Sequence, residues 1–223
     1  MIFGLGAEVE AHGQLHVERF LAATALAWRL ADHVRIRTLF RFAYHAPTSF
    51  SVNSMTENLI VFAHGKESGP WGTKITQLAK TAERRGFDVI SPDYSHSQEP
   101  QDRIDQLLTL APRAQRLVLA GSSMGGYVSA MACAALQPQA LFLMAPAIHF
   151  PFPGWDGEPL GIPKRCTVVH GWHDDIVPLA QAQRFAREHN AALHILDSGH
   201  TLNDRLPMLD LLLDQLLADV LQS

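Results

Sequence analysis

Six consecutive residues, Gly121-Ser122-Ser123-Met124-Gly125-Gly126, carry the first chemical signal in this chain. A short apolar run, Leu117 to Ala120, precedes them, and an apolar stretch of helical length follows to about Leu136. That order predicts a strand, a sharp turn and a helix, with Ser123 at the apex of the turn. Glycines at 121 and 125 leave no side chains to crowd such a turn, so the Ser123 hydroxyl points into open space. A serine hydroxyl is a weak nucleophile at its own pKa. It needs a base within hydrogen-bond reach, and the base needs a group that orients it.

The chain holds twelve histidines, so position has to select among them. His200 lies in Asp197-Ser198-Gly199-His200, just after the last strand-like run and before the final helix. A loop there can bring an imidazole beside Ser123. The orienting carboxylate is expected in His170-Gly171-Trp172-His173-Asp174-Asp175-Ile176-Val177-Pro178. Asp174 is the preferred candidate. Asp175 is the alternative, and otherwise reads as a carboxylate at a helix terminus. Acyl transfer also needs donors aimed at the oxygen on which negative charge develops. The backbone N–H of Met124 supplies one, and that of Lys66, after the first core strand, a second. The Lys66 side chain then points outward, where it is solvated or attracts an anionic substrate. Trp71 and Trp172 follow strand ends, and Phe150 lies between the fourth and fifth strands; each walls an acyl pocket or simply packs. His170-x-x-His173 has a chelating spacing but no third ligand motif, so no metal is expected. Gly4-x-Gly6 lacks a third glycine and a preceding strand, so no dinucleotide cofactor is expected either.

The elements that must position these groups are legible from Asn58 onward. Leu59 to Ala63 reads as a buried strand ending at His64-Gly65. Ile75, Leu78, Ala79 and Ala82 fall on one helical face, and Gly86 closes that helix. Phe87 to Ser91 is a second strand, stopped by Pro92. Ile104, Leu107, Leu108 and Ala111 stripe a second helix that ends near Pro112. After the strand at Leu117 and its helix come Ala140–Met144, Cys166–Val169, a helix opened by Pro178, Leu193–Leu196 and a last helix striped by Leu209 to Val220. The fold class is therefore α/β: a doubly wound, mainly parallel sheet of about six core strands with helices on both faces. In such sheets ligands bind at the carboxyl ends of the strands. His64, Asp93, Ser123, Pro146, Asp174 and His200 all follow strand ends and are expected along one edge.

Residues 55–223 form that domain, and 1–54 an N-terminal extension. Leu15 to Leu30 is helix-like and Arg35 to Tyr44 strand-like. The extension reads as a cap, a dimerisation arm, a covering helix, or an upstream stretch with Met55 as the true start. The formal net charge of −4 argues against a nucleic-acid partner or an anionic membrane surface. No apolar run reaches the ~18 residues of a membrane span. Cys133 and Cys166, in apolar runs, read as buried thiols of a reducing, cytoplasmic compartment.

Taken together, HGKESG at 64–69, GSSMGG at 121–126, HGWHDDIVP at 170–178 and SGH at 198–200 resemble the small α/β-hydrolases, over about residues 58–217. The resemblance implies Ser123 as nucleophile, His200 as base and Asp174 as its acid, with Met124 and Lys66 forming the oxyanion hole. It implies a cofactor-free serine hydrolase acting on a small carboxylic ester or thioester. The alternatives are amide hydrolysis or acyl transfer on the same residues, and a non-catalytic binding domain. The segment from Pro146 to Arg165, where larger relatives carry a lid, is short, so the site is expected to be shallow and open.

Overall fold

The computed structural model describes residues 56–150, 155 and 157–222. The helix and strand expected within residues 1–54 lie outside the described residues. Among the described residues, six strands form one sheet in the order β2-β1-β3-β4-β5-β6, and every neighbouring pair is parallel. They are β1 (Thr56–Ala63), β2 (Asp88–Ile90), β3 (Ala114–Ser122), β4 (Ala140–Met144), β5 (Arg165–Gly171) and β6 (Ala192–Leu196). The helices are α1 (Thr73–Arg84), α2 (Pro100–Leu110), α3 (Met124–Met131), α4 (Cys133–Leu136), α5 (Leu179–His189) and α6 (Leu206–Leu221).

The alternation of side chains along each strand divides the core in two. Leu59, Val61, Leu117, Leu119, Leu141, Leu143 and Val168 face one side, packed by Ile104 and Leu107 of α2, Tyr127 and Val128 of α3, and Phe185 of α5. Ile60, Phe62, Val118, Ala120, Phe142 and Val169 face the other, packed by Ile75 and Leu78 of α1 and by Leu209, Leu213 and Val220 of α6. A strand buried on both faces must be apolar at successive positions, which is why the runs in β1, β3 and β4 are continuous rather than alternating.

Several boundaries differ from the sequence reading: β1 and β3 begin at Thr56 and Ala114, ahead of the apolar runs that start at Leu59 and Leu117. β2 is shorter than Phe87–Ser91, because the Phe87 N–H still donates to Ala82 O at 3.0 Å in the exit turn of α1. The helix after Ser123 is interrupted at Ala132 instead of running unbroken to Leu136. There the Cys133 thiol approaches Ser129 O at 3.3 Å, the carbonyl an unbroken helix would give to the Cys133 N–H. Cys133 and Cys166 are both free and buried, and burial pushes the Cys166 thiol up to about 12. No described helix is long and apolar enough to cross a membrane.

Parallel register aligns the carboxyl ends of the central strands. Ala63 pairs with Gly121, Ser122 with Met144, and Gly171 with Leu196. The segments leaving β1, β3, β5 and β6 therefore emerge together.

Candidate active site

Ser123 links β3 directly to α3, and its backbone is strained, with φ +54° and ψ −119°. Non-glycine residues with positive φ are uncommon and cost free energy. The neighbours hold this one in place. The Ser123 N–H donates to Met144 O at 2.9 Å, and Ser123 O accepts from Gly126, Ala147 and Tyr127 N–H groups. A Cβ at Gly121 would overlap the Gly125 carbonyl, and one at Gly125 the Ala63 carbonyl. The two glycines thus allow three backbone segments to meet at the turn. Their role is close approach, since neither has a positive φ.

His200 Nε2 lies 3.0 Å from Ser123 Oγ, and its Nδ1 lies 2.8 Å from Asp174 Oδ2. The loop that carries His200 is anchored on both sides. The His173 N–H donates to Ser198 O at 2.9 Å, and Leu202 inserts fully into the core. Gly171 permits that approach, because a Cβ there would overlap the carbonyls of Ser198 and Gly199. Asp174, with its side chain 0% exposed, accepts through Oδ1 from the N–H groups of Ile176 (3.0 Å) and Val177 (2.8 Å). Burial works against its charge. The hydrogen bonds from His200, Val177 and Ile176 outweigh burial, and its pKa is lowered from the usual carboxylate value. Asp175 is exposed, so the structure separates the two acids that sequence left open.

His170 is fully buried under Asp174. Its Nε2 lies 2.9 Å from Val177 O and 3.3 Å from Asp174 Oδ2. Burial lowers its pKa, so it is neutral near pH 7 and donates from Nε2. His173, by contrast, turns outward to Asp197 at 2.8 Å. The two imidazoles do not converge on a common point. Among the described residues, His149, Glu158 and Glu188 stand close enough to hold an ion. Arg184 pairs with both of these carboxylates, at 3.3 Å and 2.8 Å, and the His149 ring nitrogens lie 3.7 Å and 3.2 Å from them.

Met124 opens α3, so its N–H has no intrahelical acceptor. The loop after β1 passes beside the turn, since a Cβ on Gly65 would stand 3.6 Å from Ser123 Cβ. The Lys66 side chain is exposed, as expected. Trp71 and Trp172 are exposed as well, at 55% and 62%, while Phe150 packs on Trp155 with ring centroids 6.0 Å apart. Asp93 accepts from the Ser95 N–H at 2.8 Å, a local role at a strand end. Three further residues support the site; the sequence marks His64 as a strand-end residue but singles out neither Lys74 nor Arg103. Lys74 of α1 donates to Thr201 O, next to His200, and burial lowers its ammonium to about 8 while the Asp174 charge pulls the other way. His64 and Arg103 pack under the loop after β1.

A hydroxyl, an imidazole and a buried carboxylate in one hydrogen-bonded line, at the carboxyl edge of a parallel sheet, define a hydrolase-type site. The sequence profile of the alpha/beta hydrolase family matches residues 60–222, and the chain belongs to that family. One similar solved structure is a protein of the alpha/beta hydrolase superfamily from Xanthomonas campestris pv. campestris. It is 32% identical with a TM-score of 0.65, and the match covers 74% of this chain and 99% of that one. A second Xanthomonas campestris protein, a serine hydrolase without a lid, is 22% identical with a TM-score of 0.60 over 76% and 85% of the two chains. Est1E from Butyrivibrio proteoclasticus is 17% identical with a TM-score of 0.64 over 77% and 91%. These two more distant matches show the fold. No curated protein matches the chain.

Proposed function

We propose that this protein is a serine hydrolase that cleaves a small carboxylic ester or thioester through an acyl-enzyme. The observation that carries the reading is the unbroken line from Ser123 Oγ through both nitrogens of His200 to Asp174, at 3.0 and 2.8 Å. Asp174 accepts from Nδ1–H, which leaves the Nε2 lone pair facing the serine proton. On attack, Ser123 Oγ bonds to the substrate carbonyl carbon and His200 takes the proton. The imidazolium so formed lies against the buried Asp174 carboxylate. The backbone N–H groups of Met124 and Lys66 hold the oxyanion. Collapse of the tetrahedral species expels the alcohol or thiol, protonated by His200. Water then attacks the acyl-enzyme with His200 as base again, releasing the acid and free Ser123.

The short segment between β4 and β5 supports a small substrate, because little chain is present there to enclose a long acyl group. Exposed Trp71 and Trp172 offer apolar contact at the rim rather than a buried slot.

Labelling with a fluorophosphonate probe tests the reading. The wild-type protein is expected to be labelled, while Ser123→Ala and His200→Ala are not. A folded wild-type protein that resists the probe, or equal labelling of Ser123→Ala, would sink it. Hydrolysis of short p-nitrophenyl esters and acyl thioesters, compared side by side, then sets the substrate class.

A further inference from the structure

Arg103 is a cation with no exposed surface, on the inward face of α2. Among the described residues no carboxylate pairs with it. Asp93 and Glu67 act on its charge only from a distance. Its guanidinium meets neutral groups instead. Nε–H donates to Ser97 O at 2.9 Å, and one terminal nitrogen donates to Gly65 O at 3.2 Å and His64 O at 3.4 Å. The other terminal nitrogen is buried without a partner, and the Tyr94 ring lies 5.8 Å from the guanidinium carbon. Burial lowers its pKa, but from so high a starting value the group stays charged at neutral pH. A buried charge without a counter-ion is costly to keep, and an apolar residue of similar volume would serve packing as well. The carbonyls it faces indicate what the charge does.

Gly65 O receives a second donor. The Tyr94 N–H donates to His64 Nε2 at 2.9 Å, which places the ring proton on Nδ1, and Nδ1–H donates to Gly65 O at 2.8 Å. The Gly65 carbonyl and the Lys66 N–H are two ends of one conjugated peptide group. Two donors on the oxygen, one of them cationic, fix that peptide plane and draw electron density toward the oxygen. The N–H at the other end becomes a stronger donor. This peptide passes beside Ser123.

We propose that Arg103 is a positioning residue for acyl transfer: it fixes and polarises the Gly65–Lys66 peptide so that the Lys66 N–H meets the oxyanion formed at Ser123. The proposal rests on the serine-hydrolase reading and on Lys66 as the second oxyanion donor. It adds that the strength of that donor is set from beneath by a buried cation. Arg103 touches neither substrate nor the reacting atoms. Its effect must therefore appear where negative charge develops on oxygen and be weak where substrate merely binds.

The test compares Arg103→Lys and Arg103→Gln with wild type in p-nitrophenyl acetate hydrolysis. It also measures the inhibition constant of an aryl trifluoromethyl ketone, whose adduct with serine carries an oxyanion, and the urea unfolding midpoint. Lysine keeps the charge without the fork, and glutamine keeps a donor without the charge. In folded variants kcat is expected to fall about 10- to 100-fold, short of or equal to the loss of one direct oxyanion donor. The ketone is expected to weaken by a similar factor, with KM within about threefold of wild type. Glutamine is expected to be the more damaging. Folded variants with kcat and ketone affinity within about twofold of wild type would overturn the proposal. So would parallel changes in KM and kcat with the ketone unaffected. If neither variant folds, Arg103 belongs to the fold alone and the proposal is also lost. Ser123→Ala in the same assay keeps the two readings apart. Wild-type turnover in that variant removes the hydrolase reading itself, whereas a dead Ser123→Ala beside an unimpaired Arg103→Gln removes only this inference.

Discussion

Asp174→Asn changes one atom of the site and has a consequence that follows from the hydrogen-bond directions. Asp174 Oδ1 accepts two backbone N–H groups, from Ile176 and Val177 at 3.0 and 2.8 Å. An asparagine there must turn its carbonyl oxygen toward those donors, because its NH2 cannot accept from them. The NH2 then occupies the place of Oδ2, 2.8 Å from His200 Nδ1. Nδ1 must become the acceptor, so the imidazole proton moves to Nε2 and points at Ser123 Oγ. A nitrogen carrying a proton cannot remove another. The charge facing the imidazolium is also lost from a site where the carboxylate is wholly buried. The same exchange in a well-studied serine protease costs about 10⁴ in kcat, which is about 5 kcal/mol in the barrier. The same order of loss is expected here, measured as kcat for p-nitrophenyl acetate near neutral pH. Asp175→Asn, altering an exposed neighbour, is expected to stay within about twofold of wild type. A loss under about 30-fold in folded Asp174→Asn, or a larger loss in Asp175→Asn, would refute the tautomer argument.

Three more outcomes follow from the same geometry. Gly125→Ala drives a Cβ into the carbonyls of Ala63 and His64, so it is expected to destabilise by more than about 3 kcal/mol in urea unfolding. A variant as stable as wild type would mean the segments are less tightly packed than described. Ser123→Gly removes the strain of a positive φ and should raise stability by about 1 kcal/mol while abolishing turnover. A drop in stability would count against stored strain at the turn. Burial lowers the pKa of both His64 and His170. As pH falls below about 6.5 the unfolded imidazoles take up protons before the folded ones do. The unfolded state then binds more protons, and stability is expected to decline until the folded-state values are passed. Urea midpoints at pH 7.5 and 5.5 measure it, and a midpoint at pH 5.5 equal to or above that at pH 7.5 would show the sign is wrong.

Much of the fold was legible because the central strands are buried on both faces and so appear as unbroken apolar runs, as at Leu59–Ala63 and Leu117–Ala120, whereas the edge strands β2 and β6 are only partly buried. The candidate site was legible because its residues follow strand ends, and parallel register brings those ends to one edge. Boundaries were less legible. Phe87 is apolar and next to a strand, yet its N–H closes the turn after α1. Ala132 is a good helix former, and residue type alone does not tell that the next side chain, the Cys133 thiol, reaches back to Ser129 O. Trp71 and Trp172 fit a pocket wall by position, but their exposure depends on how the loops leave β1 and β5, which composition does not report.

The order of residues determined the strand–turn–helix around Ser123, the parallel sheet, and the sequence Ser, Asp, His along its edge, because these depend on periodicity and on local backbone chemistry. The tertiary structure alone decided that Asp174 rather than Asp175 faces His200. Adjacent carboxylates are alike in sequence, and only the turn through Val177 buries one and leaves the other in water. It alone also brought Arg103 beneath the Gly65 carbonyl. An arginine in an otherwise amphipathic helix reads as a solvated charge. Contacts 38 and 39 residues distant, to Gly65 and His64, place it where no solvent reaches.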